Sequence, residues 1–100
     1  MITERLTFQA KYGKGDDLLA LFKESMSSMT EGATGIRTYT DATGTMFTVA
    51  VEIDYPDLAA WQAANGPGAY DDSGFQEWFA RMVAVTERGE RQLFNSEKLL

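Results

Sequence analysis

Hydrophobic positions change period several times along the chain, and each change marks an element. From Ser73 to Gly89 (SGFQEWFARMVAVTERG), Phe75, Trp78, Phe79, Met82, Val83 and Thr86 recur at the i, i+3, i+4, i+7, i+8 spacing of one helix face. Ser73 with Gln76 reads as a capping box at its start, and Gly89 suits the residue just past its end. The segment from Ile2 to Tyr12 alternates instead. Leu6, Phe8, Ala10 and Tyr12 share one face and Arg5, Thr7, Gln9 and Lys11 the other, the pattern of a half-buried strand. Gly13-Lys14-Gly15 breaks it. Asp16 or Asp17 can cap the helix that follows, whose apolar stripe is Leu18, Leu19, Phe22, Met26 and Met29. Gly32 and Gly35 bracket the exit loop.

The segment Gly35 to Asp41 (GIRTYTD) reads as a second strand, and Asp41-Ala42-Thr43-Gly44 as a hairpin turn. Met46 to Asp54 is nearly continuously apolar, which predicts a third strand buried on both faces. Tyr55-Pro56-Asp57 starts a second helix, with Leu58, Trp61 and Asn65 on one face, and Asn65-Gly66-Pro67-Gly68 ends it. The loop 66–72 leads into the aromatic helix. Arg91 to Ser96 (RQLFNS) reads as the last strand. The order is β-α-β-β-α-α-β, an α+β, ferredoxin-like fold: a four-stranded antiparallel sheet with helices on one face. One hundred residues without repeat or linker make a single domain, 1–100. Helices on one face leave the other bare, and the third strand's two-sided apolarity predicts a cover for it. A second copy of the chain is the simplest cover, giving a homodimer whose sheets close face to face into a barrel.

Three stretches carry a resemblance to a known family: RLTFQAKYGKGDD, FTVAVEIDYPDLAAW and FQEWFARMVAVTERGERQLF. With them the chain resembles the dimeric α/β-barrel superfamily, and the last two are similar to its short NIPSNAP-like members. The superfamily also holds antibiotic-biosynthesis-type and haem-degrading monooxygenases, muconolactone-isomerase-like enzymes and stress-response proteins. The resemblance therefore implies a fold and no single reaction. Cofactor-free monooxygenases of this superfamily use an asparagine and a tryptophan on the helix after the third strand, with tyrosine and arginine nearby. Trp61, Asn65, Tyr70 and Arg81 match those types here, with tryptophan preceding asparagine. Haem-degrading members ligate iron through a histidine, and this chain has none.

Composition narrows the chemistry further. With neither cysteine nor histidine, a Ser–His or Cys–His nucleophile pair is excluded, and so are the commonest metal ligands. No dinucleotide fingerprint appears, so no cofactor or metal is expected. A net charge of −6, with the nine cations scattered, argues against nucleic acid. No apolar run reaches the roughly 20 residues of a membrane span, and Glu4 and Arg5 sit where a signal peptide needs an apolar core. A cytoplasmic protein is expected.

Candidate site residues follow from the aromatics. Trp61, Asn65, Tyr70, Trp78, Phe79 and Met82 can line a pocket for an apolar or aromatic ligand between sheet and helices, with the loop 66–72 as its lid. The competing reading is ordinary core packing. Arg37 and Tyr39, on one face of the second strand, can offer a cation and a phenol to that site, or an edge or interface pairing. Glu52 and Asp54 share a face of the third strand, as a general base or as the solvated end of the strand. Asp71, Asp72 and Glu77 suit helix capping and a Glu77–Arg81 pair as well as they suit a cation. Gly13-Lys14-Gly15 lacks the length of a phosphate loop. Two function classes remain. One is a binding or structural module with an apolar pocket. The other is a cofactor-free monooxygenase or isomerase acting on an aromatic or enolisable small molecule.

Overall fold

The computed structural model describes residues 1–100 apart from the side chains of Ser27 and Met29, so the Met29 end of the first apolar stripe lies outside the described residues. The elements are β1 (Ile2–Ala10), α1 (Gly15–Met29), β2 (Gly35–Thr40), β3 (Thr48–Tyr55), α2 (Leu58–Ala64), α3 (Ser73–Val85) and β4 (Thr86–Asn95). The strands form one antiparallel sheet in the order β2-β3-β1-β4. This is the α+β order that the periodicity predicts. No helix among the described residues is long and apolar enough to cross a membrane.

The core lies on one face of the two central strands. Val49, Val51, Ile53 and Tyr55 are 1–2% exposed and meet Leu18, Leu21 and Phe22 of α1 and Trp78 and Met82 of α3. The Trp78 indole Nε1 donates to the Leu21 carbonyl at 2.9 Å, so its polar atom is satisfied inside the core. Arg81 of α3 reaches across to Glu24 of α1 in a two-pronged pair at 2.9 and 3.0 Å, rather than along its own helix to Glu77.

Several element ends differ from the sequence expectation. α3 stops at Val85 and β4 begins at once, so Gly89 lies in mid-strand opposite Phe8 instead of capping a helix. Thr86 is already extended, and its hydroxyl donates to the Met82 carbonyl at 2.6 Å, closing the last helical turn. From there the open edge of β1 supplies partners for nine of the ten residues of β4, with a bulge at Glu87, and one more helical turn would forfeit the first of them. Asp72, not Ser73, caps α3, accepting from Phe75 N at 3.0 Å. Asp57 caps α2, accepting from Ala60 N at 2.8 Å, so Pro56 precedes the cap. α1 has no side-chain cap; Asp16 and Asp17 sit in its first turn. β1 ends at Ala10, leaving Tyr12 exposed with its edge on the Phe47 ring.

The third strand is not apolar on both faces. Its outer side presents Thr48, Ala50, Glu52 and Asp54, and the chain's own cations cover the two carboxylates. Arg5 donates to Glu52 Oε2 through Nε at 2.9 Å and Nη2 at 2.7 Å. Arg37 Nη1 donates to Asp54 Oδ2 at 2.7 Å, and its Nη2 to Glu52 Oε1 at 3.2 Å. The Tyr39 phenol adds a bond to Glu52 Oε1 at 2.8 Å, and Thr3 one to Asp54 Oδ1 at 2.8 Å. Glu52 and Asp54 are thereby only 8% and 7% exposed within a single chain, in mid-sheet rather than at a solvated strand end. The Arg37 guanidinium, helped by Thr3 and opposed by burial, holds the Asp54 carboxyl below the usual carboxylate range. Burial pushes the Glu52 carboxyl up, but hydrogen bonds from Arg5, Tyr39 and Arg37 outweigh it and leave it low as well.

Two outcomes follow for stability. An alanine Cβ at position 89 would lie 2.6 Å from Phe8 Cδ1 and 2.7 Å from Cε1. Gly89→Ala is therefore expected to cost about 1–3 kcal/mol of unfolding free energy, read from urea melts, because the Phe8 ring must leave its packing on Phe22 to make room. Glu52 and Asp54 have depressed folded pKa values, so their contribution is complete above the ordinary carboxylate range, about pH 4 to 5, and fades as pH falls through the folded values. Arg37→Gln should lower the urea midpoint at pH 7 by no more than about 1 kcal/mol equivalent, since Arg37 is half exposed. The gap should shrink at pH 2 to 3; an unchanged gap would show that the pairs carry no linkage.

Candidate functional site

The helices cover β3 and β1 but leave the flank over β4 open. A cavity of about 760 Å³ occupies that flank. Its floor is Leu6 and Phe8 of β1, Ile53 of β3 and the backbone of β4 around Gly89. Its wall is the α3 stripe: Phe75, Trp78, Phe79, Met82 and Val83. Trp78 and Met82 are buried, whereas Phe79 and Val83 are 46% and 51% exposed. Aromatic rings run continuously along this wall. Tyr70 meets Phe75 at 4.9 Å between centroids, Phe75 meets Trp78 at 6.0 Å, Trp78 meets Phe22 at 5.7 Å and Phe22 meets Phe8 at 5.3 Å.

One end of the cavity is polar. Glu4 sits on the helix-facing side of β1 and is only 3% exposed. Its Oε2 accepts from the Trp61 indole Nε1 at 3.1 Å and pairs with Arg91 Nε at 3.1 Å. No hydrogen bond among the described residues reaches its Oε1. Beside it the cavity is lined by Tyr55, Asn65 and Tyr70. The Tyr70 hydroxyl donates to Asn65 Oδ1, and Asn65 Nδ2 donates to the Trp61 carbonyl at 3.0 Å. Burial pushes the Tyr55 phenol up, the charge of Glu4 and the Tyr70 phenol push the same way, and Asn65 pulls in the opposite direction.

Of the residues singled out in the sequence, Asn65, Tyr70, Trp78, Phe79 and Met82 line this one cavity. Trp61 stands behind it, touching it through Glu4. Arg37 and Tyr39 are not part of it. Their register opposite Glu52 and Ala50 puts them on the outer face of the sheet, where they hold the carboxylate pairs; this corrects their assignment to the pocket between sheet and helices. The reason is the two-residue pleat: Arg37 follows Glu52, not Ile53. Arg81 likewise faces α1. Asp72 is committed to capping. Tyr39 instead borders a separate hollow of about 550 Å³ on the outer face, beneath the 41–45 turn.

Glu4, Tyr55 and Arg91 were missed as site residues. The signal for Glu4 was present: in the alternation that puts Leu6, Phe8 and Ala10 inside, position 4 is also inside, so a carboxylate there points at the core. Arg91 could not be placed from the sequence, because with the helix carried to just before Gly89 and the strand begun at Arg91 the register of β4, which decides its face, is undefined.

Such a site presents a flat apolar slot with a buried anion, phenols and an amide at one end. It can hold an apolar molecule and fix its orientation through a polar end.

No protein-family model matches the chain, and no curated protein matches it in sequence. Solved structures do. A NIPSNAP domain protein from Burkholderia xenovorans superposes with a TM-score of 0.84 at 22% identity, over 100% of this chain and 98% of the other. A NIPSNAP family protein from Agrobacterium tumefaciens gives 0.78 at 19% identity, over 98% and 94%. SnoaB, a cofactor-independent oxygenase from Streptomyces nogalater, gives 0.74 at 15% identity, over 99% and 95%. With four antiparallel strands, the core on one sheet face and these neighbours, the chain has the ferredoxin-like α/β-barrel fold of the NIPSNAP-like proteins and SnoaB.

Proposed function

We propose that this protein is a small-molecule-binding α/β-barrel module whose flat, mostly apolar ligand lies in the cavity between sheet and α3. One observation carries the reading. Phe79 and Val83 continue the stripe of Trp78 and Met82, yet they are half exposed and face a cavity of about 760 Å³. A stripe that served only as core would be covered along its length. The ligand contacts are Asn65, Tyr70, Trp78, Phe79 and Met82, with Trp61 positioning Glu4, and the 66–72 segment carries Tyr70 at the mouth.

A second reading, cofactor-free catalysis on an aromatic or enolisable substrate, is favoured by the buried Glu4 carboxylate at the polar end. The fold likeness to a cofactor-independent oxygenase is consistent with it and carries no reaction by itself.

The module is proposed to act as a homodimer through the outer sheet face. The support is that face itself: no helix crosses it, and it carries half-exposed Tyr39 and Phe94 around the charged pairs. Light scattering at micromolar concentration should return twice the 11.1 kDa chain mass, and a monomer mass would remove the dimer from the proposal.

Binding is tested by titrating naphthalene-sized aromatics against tryptophan fluorescence and melting temperature. Wild type should respond to several. Val83→Trp is expected to fold, because position 83 is half exposed, and to abolish the response by filling the cavity. Tyr70→Ala should weaken the response while costing less than about 1 kcal/mol of stability. A silent panel with wild type would sink the reading.

A further inference from the structure

The polar end of the cavity holds a buried carboxylate with one oxygen already used and one open. Glu4 is 3% exposed, and both of its recorded partners, Trp61 Nε1 and Arg91 Nε, converge on Oε2. A carboxylate taken out of water is costly unless its lone pairs find donors. Oε1 has none among the described residues, yet it is not a sealed, orphaned atom: it stays open on the side where Glu4 lines the cavity. We infer that the cavity selects flat ligands bearing a hydroxyl group at one end, the ligand O–H donating to Glu4 Oε1 and the ligand oxygen accepting from the Tyr55 phenol. This rests on the proposed use of the cavity as a ligand site and names the chemistry that the site takes.

Three observations choose a hydroxyl over other polar heads. First, Arg91 already supplies the countercharge to Glu4 at 3.1 Å, so the pair is neutral as a unit and a second cation gains little. Second, an anionic head has only acceptor oxygens and would bring them against Glu4 Oε1, with Arg91 turned to Oε2 on the other side. Third, a hydroxyl both donates and accepts, and the neighbourhood offers both roles. Tyr55 is 2% exposed, and its phenol, which burial and the Glu4 charge push up from its ordinary value, carries its proton at neutral pH like any tyrosine and is a donor. Tyr70 is already spent as a donor to Asn65, whereas the Asn65 side-chain bond to Tyr55 favours that phenol's oxygen as acceptor and leaves its O–H as the donor at this end. The apolar walls then demand that the remainder of the ligand be flat and carbon-rich: Leu6 and Phe8 lie on one side, and Phe75, Trp78 and Phe79 on the other.

Arg91 and Trp61 are positioning residues in this scheme. The indole and the guanidinium both meet Oε2 and fix the carboxylate rotamer, which leaves Oε1 toward the cavity. A hydrogen bond to an ionised acceptor in a dry site is among the stronger kinds, so losing it should be visible as discrimination between close analogues.

The experiment compares four probes on the full chain by calorimetry and by fluorescence: 2-naphthol, its methyl ether 2-methoxynaphthalene, naphthalene, and 2-aminoindane as an ammonium head. The expected result is that 2-naphthol binds at least about tenfold tighter than the methyl ether, which keeps the ring system and loses the donor. In Glu4→Gln, a near-isosteric change that turns one side-chain oxygen into a donor, that preference should collapse to under about threefold while naphthalene binds as before. Tyr55→Phe provides an independent arm, in which 2-naphthol should weaken several-fold and naphthalene should not. Equal binding of 2-naphthol and its methyl ether would overturn the hydroxyl assignment and leave the cavity reading standing. Tighter binding of 2-aminoindane than of 2-naphthol would overturn it in favour of a cationic head. Failure of all four probes to bind would overturn the cavity reading, and this inference with it.

Discussion

Val49, Val51, Ile53 and Tyr55 form the seam on which the rest of the molecule is hung. They occupy alternate positions of a central strand and are almost completely withdrawn from water under α1 and α3. At roughly 1.5 to 3 kcal/mol for each fully buried large apolar side chain, this seam and its partners Leu18, Phe22 and Trp78 are the largest single stabilising contribution that the chain can make. Because the strand pleat has period two, seating these four side chains fixes where every other strand residue points. It sends Glu52 and Asp54 outward, where β1 and β2 must supply Arg5, Arg37, Thr3 and Tyr39 to satisfy them. It also turns Glu4, cross-strand from Ile53, inward.

The cavity follows from the same constraint. Sheet strands stand about 4.8 Å apart, and a helix with side chains is about 10 Å across, so two helices centred on the β3–β1 pair do not span four strands. β2 lies at one margin and β4 at the other, both largely exposed. Over β4 no side chain rises from Gly89, and the Phe8 ring lies over that backbone instead. α3 therefore overhangs a slot, with Phe79 and Val83 projecting beyond the sealed part of the core. The buried Glu4 carboxylate stands at the end of that slot, held by Trp61. The apolar extent and the single polar end are two results of one arrangement of strands and helices.

Much of this was written in the chain. The α3 stripe, the alternation of β1, the glycine break at 13–15 and the helix after the third strand define their elements by local periodicity and turn chemistry, which need no tertiary information. The β-α-β-β-α-α-β order and its antiparallel sheet follow from those. Even the inward carboxylate was legible, since Glu4 keeps step with Leu6 and Phe8. Three things were decided only by the folded chain. The fate of residues 86–88 was one: the helical spacing runs through Thr86 and Gly89 suits a helix end, but the unpaired edge of β1 takes these residues as strand, because the ladder along β4 outweighs one more helical turn. The outer face of β3 was another: a run such as MFTVAVEID reads as apolar on both sides until cross-strand register brings Arg5 and Arg37 onto its two acids from 47 and 17 residues away. The last was the division of aromatics into core and cavity wall. Trp78 and Phe79 are adjacent and chemically alike in the sequence; one is sealed against Leu21 and the other half open, because only the width of the sheet relative to two helices determines where the packing stops.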